Sequence, residues 1–482
     1  MAATYRSIVP RTSTSANVNG GMGSAGAAER ARIVTFPVRL TSAQWRTLAA
    51  VWLGWGFDVF DAMLLNFVAP NCIPTLLGLP LGSAAARAAT SQWIGILTAL
   101  LLVGWAVGGI IFGYLADRIG RRRALILTIT VYAIGTGASA FAPSLGVLIA
   151  CRIVASLGIG GEFATGATLI AETVPERHRL VAGAFLQTAS PLGLFLATFV
   201  TWAIAGWWMP DAPAESWRYV LGAGLAPILI VLLLRSGGSM ADAPAPSSTR
   251  RGLGASLALL FGAELRPATL SALAMSVLGL FTWWSCNAFL PTIGFGLGTR
   301  LAEAQGLSGA TAVSFAESWK AAAGFWFNIG GVVGSMLTVP VARRFGRRGM
   351  FGIYYVVGAA SLLLAFAPDW SPAVTLRLTF LIGLAIYGLF GAFAFYLPEL
   401  YPPAVRGLGA GFSFNIGRMG AALGPFLVGA YSARQLDTTA GALTALTWLA
   451  VLPAAAALLT PFIVETRGRI PVRAVAALPA SP

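Results

Sequence analysis

Between two apolar runs, each long enough to cross a bilayer, the chain reads GYLADRIGRRR from Gly113 to Arg123. Hydrocarbon cannot hold an acid and four arginines, so this stretch must be a short turn at a membrane face. Clustered arginines favour the cytoplasmic side and orient every other span. A second version, VPVARRFGRRG at Val339–Gly349, follows about 226 residues later. Glu172-Thr-Val-Pro175-Glu-Arg-His-Arg179 and Glu399-Leu-Tyr-Pro402-Pro-Ala-Val-Arg406 share the pattern Glu-x-x-Pro-x-x-x-Arg at nearly the same offset. Two motifs repeated at one spacing predict two related membrane halves.

Apolar stretches of roughly 20 residues place spans near 48–70, 92–116, 122–141, 145–172, 179–205 and 217–235. A second set falls near 267–291, 317–341, 348–367, 372–396, 405–432 and 437–463. The expected fold is all-α and integral to the membrane, with about twelve helices in two six-helix pseudo-repeats. The expected divisions are a disordered cytoplasmic tail (1–45), an N-terminal bundle (46–235), a cytoplasmic linker (236–266), a C-terminal bundle (267–463) and a second cytoplasmic tail (464–482). The linker's SGGSMADAPAPSSTRR is polar and rich in Gly, Ser and Pro. About 24 of the 32 basic residues fall on the predicted inner side, in both halves.

Charged residues make up only 10% of the chain and hydrophobic residues 57%, which no soluble class matches. A +15 charge alone would suit nucleic acid, but the arginines sit in turns between spans and not on one polar face, so no nucleic-acid partner is expected. Cys72, Cys151 and Cys286 are scattered, giving neither a disulfide framework nor metal spacing. His178 is the only histidine, which excludes a histidine relay or metal cluster, and a catalytic cluster for a membrane enzyme is missing. No nucleotide-binding loop occurs, so neither ATP nor another cofactor is expected.

At these motifs the chain resembles the major facilitator superfamily of transporters. GYLADRIGRRR is similar to that superfamily's signature between helices 2 and 3, with Gly113, Asp117, Arg118, Gly120 and Arg121 in place. Arg152-Ile-Val-Ala-Ser-Leu-Gly-Ile-Gly-Gly-Glu162 resembles its helix-4 motif, and Val464-Glu-Thr-Arg-Gly-Arg469 the close of its sugar-porter-like branch. Trp55-Gly-Phe-Asp58-Val-Phe-Asp61 is similar to the helix-1 motif of aromatic-acid, sialate and lactate proton symporters, with Val59 where that pattern has glycine. Asn415-Ile-Gly-Arg418-Met-Gly420 resembles the same group's helix 11, whose arginine is implicated in carboxylate transport. The resemblance implies paired six-helix bundles and symport of a small organic carboxylate with a proton.

The residues support a site without the family. Ionisable side chains at lipid depth are functional candidates because they are costly. Asp58 and Asp61 lie ~15–20 Å deep on one helix face, and Arg418 lies ~20 Å deep in the other half. Two buried carboxylates close together cannot both ionise cheaply, so one can carry a proton. Arginine stays charged and grips a carboxylate through two hydrogen bonds. Asp58, Asp61 and Glu162 are therefore the proton-coupling candidates. Glu162 is alternatively a gate paired with loop arginines, and Arg152 a packing cation near the outer interface.

Arg418, Arg152, Asn66, Trp284, Asn287, Asn328 and Tyr387, with neighbouring Trp283, are the candidates for lining a substrate cavity. Asp117, Arg118 and Arg121, with Glu172, Arg179, Glu399 and Arg406, are the candidate gate charges. Arg343 replaces the acid in the second hairpin, which predicts a weaker latch there. Lys320, the only lysine, is expected to snorkel at the outer interface. Gly104, Gly108 and Gly109, and Gly330, Gly331 and Gly334, predict packing faces.

These readings describe a secondary transporter, not an enzyme, carrying a small organic anion together with a proton across the bilayer by alternating access, as a monomer. Short loops without glycosylation acceptors fit an inner (plasma) membrane with both termini cytoplasmic. A sugar or neutral-metabolite porter, a drug/proton antiporter and a non-transporting membrane sensor are the competing readings.

Overall fold

A computed structural model describes residues 40–174, 182–183, 185–229, 253–367, 369–402 and 405–466. Its helices are α1 (Ser42–Leu77), α2 (Ala84–Ile119), α3 (Arg121–Ser139), α4 (Leu145–Thr173), α5 (Ala189–Thr201) and α6 (Pro213–Gly222). A short α7 (Leu253–Leu260) precedes α8 (Arg266–Ala304), α9 (Gly309–Phe366), α10 (Pro372–Glu399), α11 (Arg406–Ala421), α12 (Leu423–Ser432), α13 (Thr438–Trp448) and α14 (Val451–Leu459). Eight of the described helical stretches are long and apolar enough to cross a membrane.

Those eight supply nine of the expected spans, because α9 turns within itself at Gly346. The third is α3, the sixth starts at α6, and α11 with α12 makes the eleventh. Together the described helices account for the twelve expected spans. Exposed Ile110, Phe199, Trp207, Met336, Val356 and Phe462 cover its flanks, a surface suited to lipid and not to water.

Both arginine hairpins turn on a glycine. Gly120 has φ 92° and Gly346 has φ 75°, a region where side chains are strained, so each glycine lets one span end and the next begin at once. The same repeat spacing governs packing. A methyl group at Gly108 would lie 2.0 Å from Leu157 O, and one at Gly334 would lie 2.1 Å from Leu384 O. Only glycine allows α2 to meet α4, and α9 to meet α10, at that distance.

Boundaries differ from the sequence reading where polar residues continue a helix. α1 starts at Ser42, inside the expected tail, because Thr41 and Gln44 form a reciprocal capping box. α2 and α8 run past their apolar cores at both ends, and α7 forms within the expected linker. Span 5 ends in a wider π-helical turn, Trp202–Trp208.

Candidate functional site

Counted at ~1.5 Å per residue from the arginine-rich ends of their helices, Asp58, Glu162, Trp105, Arg418 and Tyr387 all lie roughly 17–24 Å in, which is mid-membrane. Two clusters form there, one in each half.

In the N-terminal half, the carboxyl groups of Asp58 on α1 and Glu162 on α4 lie within hydrogen-bonding reach of each other. Both are buried, with the Tyr132 hydroxyl of α3 beside Glu162. The approach depends on Gly54, where an added methyl would sit 1.8 Å from Glu162 Oε1. Sequence reading left Glu162 free to pair with loop arginines. The structure instead turns it inward, because α1 presents a glycine where the carboxylate must fit.

Asp61 has other partners. Its carboxylate is 3.8 Å from Arg152 Nη1, which also donates to Thr136 Oγ1 at 2.7 Å, while Arg152 Nη2 donates to the Asp61 carbonyl at 3.1 Å. The i,i+3 spacing thus shares a face but not a partner, and the close acid pair is Asp58–Glu162 rather than Asp58–Asp61. Arg152 is 4% exposed and held inside the bundle, ~10 Å in from the outer end of α4.

In the C-terminal half, Arg418 on α11 lies between rings. Its guanidinium carbon is 4.2 Å from the Trp105 ring centroid and 4.8 Å from that of Phe414. Trp105 belongs to α2, so this cation contact joins the halves. Trp105 meets Trp284 edge-on at 5.5 Å, and Trp283 continues the cluster to Tyr387 at 6.0 Å. Arg418 Nη1 donates to Asn415 Oδ1 at 3.1 Å, whereas buried Nε has no acceptor among the described residues. Arg418 and Asp58 are near enough for their charges to interact.

The remaining candidates divide. Among the described residues, buried Asn328 finds no partner for either amide atom, and Asn287 donates to the Trp283 carbonyl while its Oδ1 lacks a donor. Such unsatisfied groups are costly unless another partner takes them up. Asn66 accepts from Thr98 at 3.3 Å inside the N-terminal bundle, away from the aromatic cluster. Tyr387 packs on Gly331.

Of the gate charges, Arg179 and the side chains of Asp117, Arg118, Arg121, Glu172 and Arg406 lie outside the described residues. Glu399 is described. Arg347 grips it through two bonds, Nε to Oε2 at 3.0 Å and Nη2 to Oε1 at 2.6 Å, and Thr466 donates to it at 2.5 Å. Glu465 accepts from the backbone N–H groups of Arg347 and Arg348, both at 3.0 Å, capping the second span of α9. The second hairpin, whose own sequence lacks an acid, is thus held by two acids from elsewhere in its half, one from α10 and one from the residues after the last span. All these partners belong to the C-terminal half.

Lys320 is also corrected. It is 1% exposed and paired with Glu317, not snorkelling. Trp105, Phe414, Gly54, Tyr132 and Glu317 were missed, since an aromatic or glycine within an apolar run carries no pattern that marks what it faces.

A family model described as Major Facilitator Superfamily matches residues 51–425. The chain belongs to that family. It is 31% identical over 382 residues to a probable 4-methylmuconolactone transporter of Cupriavidus pinatubonensis, covering 78% of this chain and 81% of the relative. It is 25% identical over 390 residues to a gentisate transporter of Corynebacterium glutamicum, covering 80% and 81%. Among solved structures, a xylose transporter of E. coli, XylE, superposes with a TM-score of 0.67 at 18% identity, covering 89% of this chain and all of that one. The fold and the transporter class, and with them the absence of enzyme function, follow from this membership.

Proposed function

We propose that this major facilitator transporter carries a small organic carboxylate together with a proton, by alternating access through the inner membrane. It works as a monomer with both termini in the cytoplasm. The observation that supports this most is Arg418, held against Trp105 and Phe414 with Nε unengaged among the described residues, near enough to the buried Asp58–Glu162 carboxyl pair of the other half for their charges to interact. Relatives are named for gentisate and cis,cis-muconate, planar or conjugated acids that suit a cation held between the rings of Trp105 and Phe414.

The coupling runs through charge. Two buried carboxyls in contact repel when both are ionised, so the pair holds one proton between them. Loss of that proton leaves Asp58 as a competitor for Arg418; its presence leaves the guanidinium for the substrate carboxylate. Buried Asn328 and Asn287 supply polar groups for the rest of the ligand. Every one of these side chains is buried, so substrate reaches them only when the halves separate on one side. Arg152 and Asp61 form the fixed pair that holds α1 on α4.

The test is the external pH of de-energised cells producing the protein, after addition of gentisate, muconate, sialate or a neutral sugar. Alkalinisation with one acid, lost in Asp58→Asn and in Arg418→Ala, is expected. Normal coupling in Asp58→Asn sinks the proton role, and a response to the sugar alone moves the function to neutral substrates.

A further inference from the structure

Away from the central site, a second buried charge group crosses between the halves. Lys320 Nζ on α9 donates to Glu317 Oε1 at 2.8 Å, lies 2.6 Å from Glu317 Oε2, and donates to the carbonyl of Phe67 on α1 at 2.8 Å. Asn71 of α1 lies beside Glu317, and a methyl at Gly206, in the π-helical end of span 5, would meet the Glu317 Cβ at 2.8 Å. Pro70 takes one N–H out of the α1 ladder next to the accepting carbonyl.

The group lies ~39 Å from the arginine hairpin at Gly346, so it stands toward the opposite face, beyond the central site. Other tight contacts between halves occur at that level. A methyl at Gly95 on α2 would lie 2.6 Å from Pro425 O on α12, and one at Gly324 on α9 would lie 2.6 Å from Thr198 Oγ1 on α5. The glycines supply close approach, but the bond to Phe67 is the charged one.

We infer that Lys320 and Glu317 are the latch that closes the transporter on the side opposite the arginine hairpins, with the Phe67 carbonyl as the catch. Glu317 and Lys320 share α9 and move together with the C-terminal half. Separation of the halves on this side must break the Lys320–Phe67 bond and bring water to the ion pair. Closure has the reverse cost, because a buried cation needs its carboxylate. The pair thus makes closure depend on both charges being present. An ion pair that only stiffened α9 would need no acceptor on α1.

The test is thiol labelling of Thr198→Cys, a near-isosteric change at the same seam, with Cys72, Cys151 and Cys286 replaced by alanine. A membrane-impermeant maleimide is added to intact cells and, separately, to inverted vesicles. Glu317→Gln leaves Lys320 buried and unpaired, so labelling should rise on the order of tenfold, from one side only, as charged hydrogen bonds of this kind imply. Glu317→Gln with Lys320→Met removes both charges and the catch, and should label at a rate between the parent and Glu317→Gln. Equal labelling in the parent and the double variant overturns the latch, as does a rise from the arginine-hairpin side. If Glu317→Gln fails to fold, the double variant decides. The readout involves neither substrate nor proton, so it stands or falls separately from carboxylate symport.

Discussion

The two halves share a frame and differ in what they enclose. Gly120 and Gly346 turn corresponding hairpins, and Gly108 and Gly334 bring corresponding helices into backbone contact. Inside that frame the N-terminal half buries Asp58, Asp61, Arg152 and Glu162, while the C-terminal half presents Arg418 among Trp283, Trp284, Tyr387 and Phe414. Duplication explains the frame, since helix packing repeats when the small residues repeat. The difference lies in the side chains that broke the symmetry: buried acids with one arginine in the first half, an arginine against aromatic rings in the second.

The largest effect should come from placing a different cation in the aromatic half. Arg418→Lys keeps the charge but loses the planar, two-pronged donor, so uptake kcat/KM should fall roughly a hundredfold or more with protein levels preserved. Retention of activity would show that the half supplies only charge. Next, Glu162→Gln removes the proton-sharing partner of Asp58 but leaves the N-terminal packing. Coupled uptake should drop roughly tenfold to a hundredfold, while downhill exchange of substrate for substrate persists. Equal loss of both reactions assigns Glu162 to structure.

A smaller effect should test the frame itself. Gly120→Ala and Gly346→Ala each force a side chain into a left-handed turn at about 1–2 kcal/mol, and should lower the detergent melting temperature by similar amounts. A shift in one variant alone would break the equivalence of the hairpins. The smallest belongs to the C-terminal latch. Glu465→Gln keeps an acceptor for one of the Arg347 and Arg348 N–H groups and turns its amide donor on the other, so it should cost about 1 kcal/mol of stability. Arg347→Ala, which strips Glu399 of its two-bond partner, should cost more.

Much of the fold was legible in order along the chain. Charge cannot sit in hydrocarbon, so the arginine turns and apolar runs counted the spans, and the repeated motifs paired them. Asp58, Arg418 and Glu162 stood out because an ionisable group at lipid depth is conspicuous wherever it points. The pairings were not legible. Asp58 and Asp61 share a face by spacing, yet the structure gives one to Glu162 and the other to Arg152. Glu399 was a gate candidate by its motif, and nothing in that motif pointed to Arg347 of the hairpin, which grips it.

Sequence alone thus determined where the chain crosses the bilayer, that it does so twice over, and that Asp58, Glu162 and Arg418 lie at lipid depth. These are properties of one helix and its solvent, read from composition and period. Tertiary structure decided which charge answers which, why Trp105 of one half lies against Arg418 of the other, and how Lys320 came to be buried against Phe67. Those outcomes depend on glycines that let helices approach and on rotations about helix axes. No local pattern encodes them, because the partner residues are tens to hundreds of positions apart.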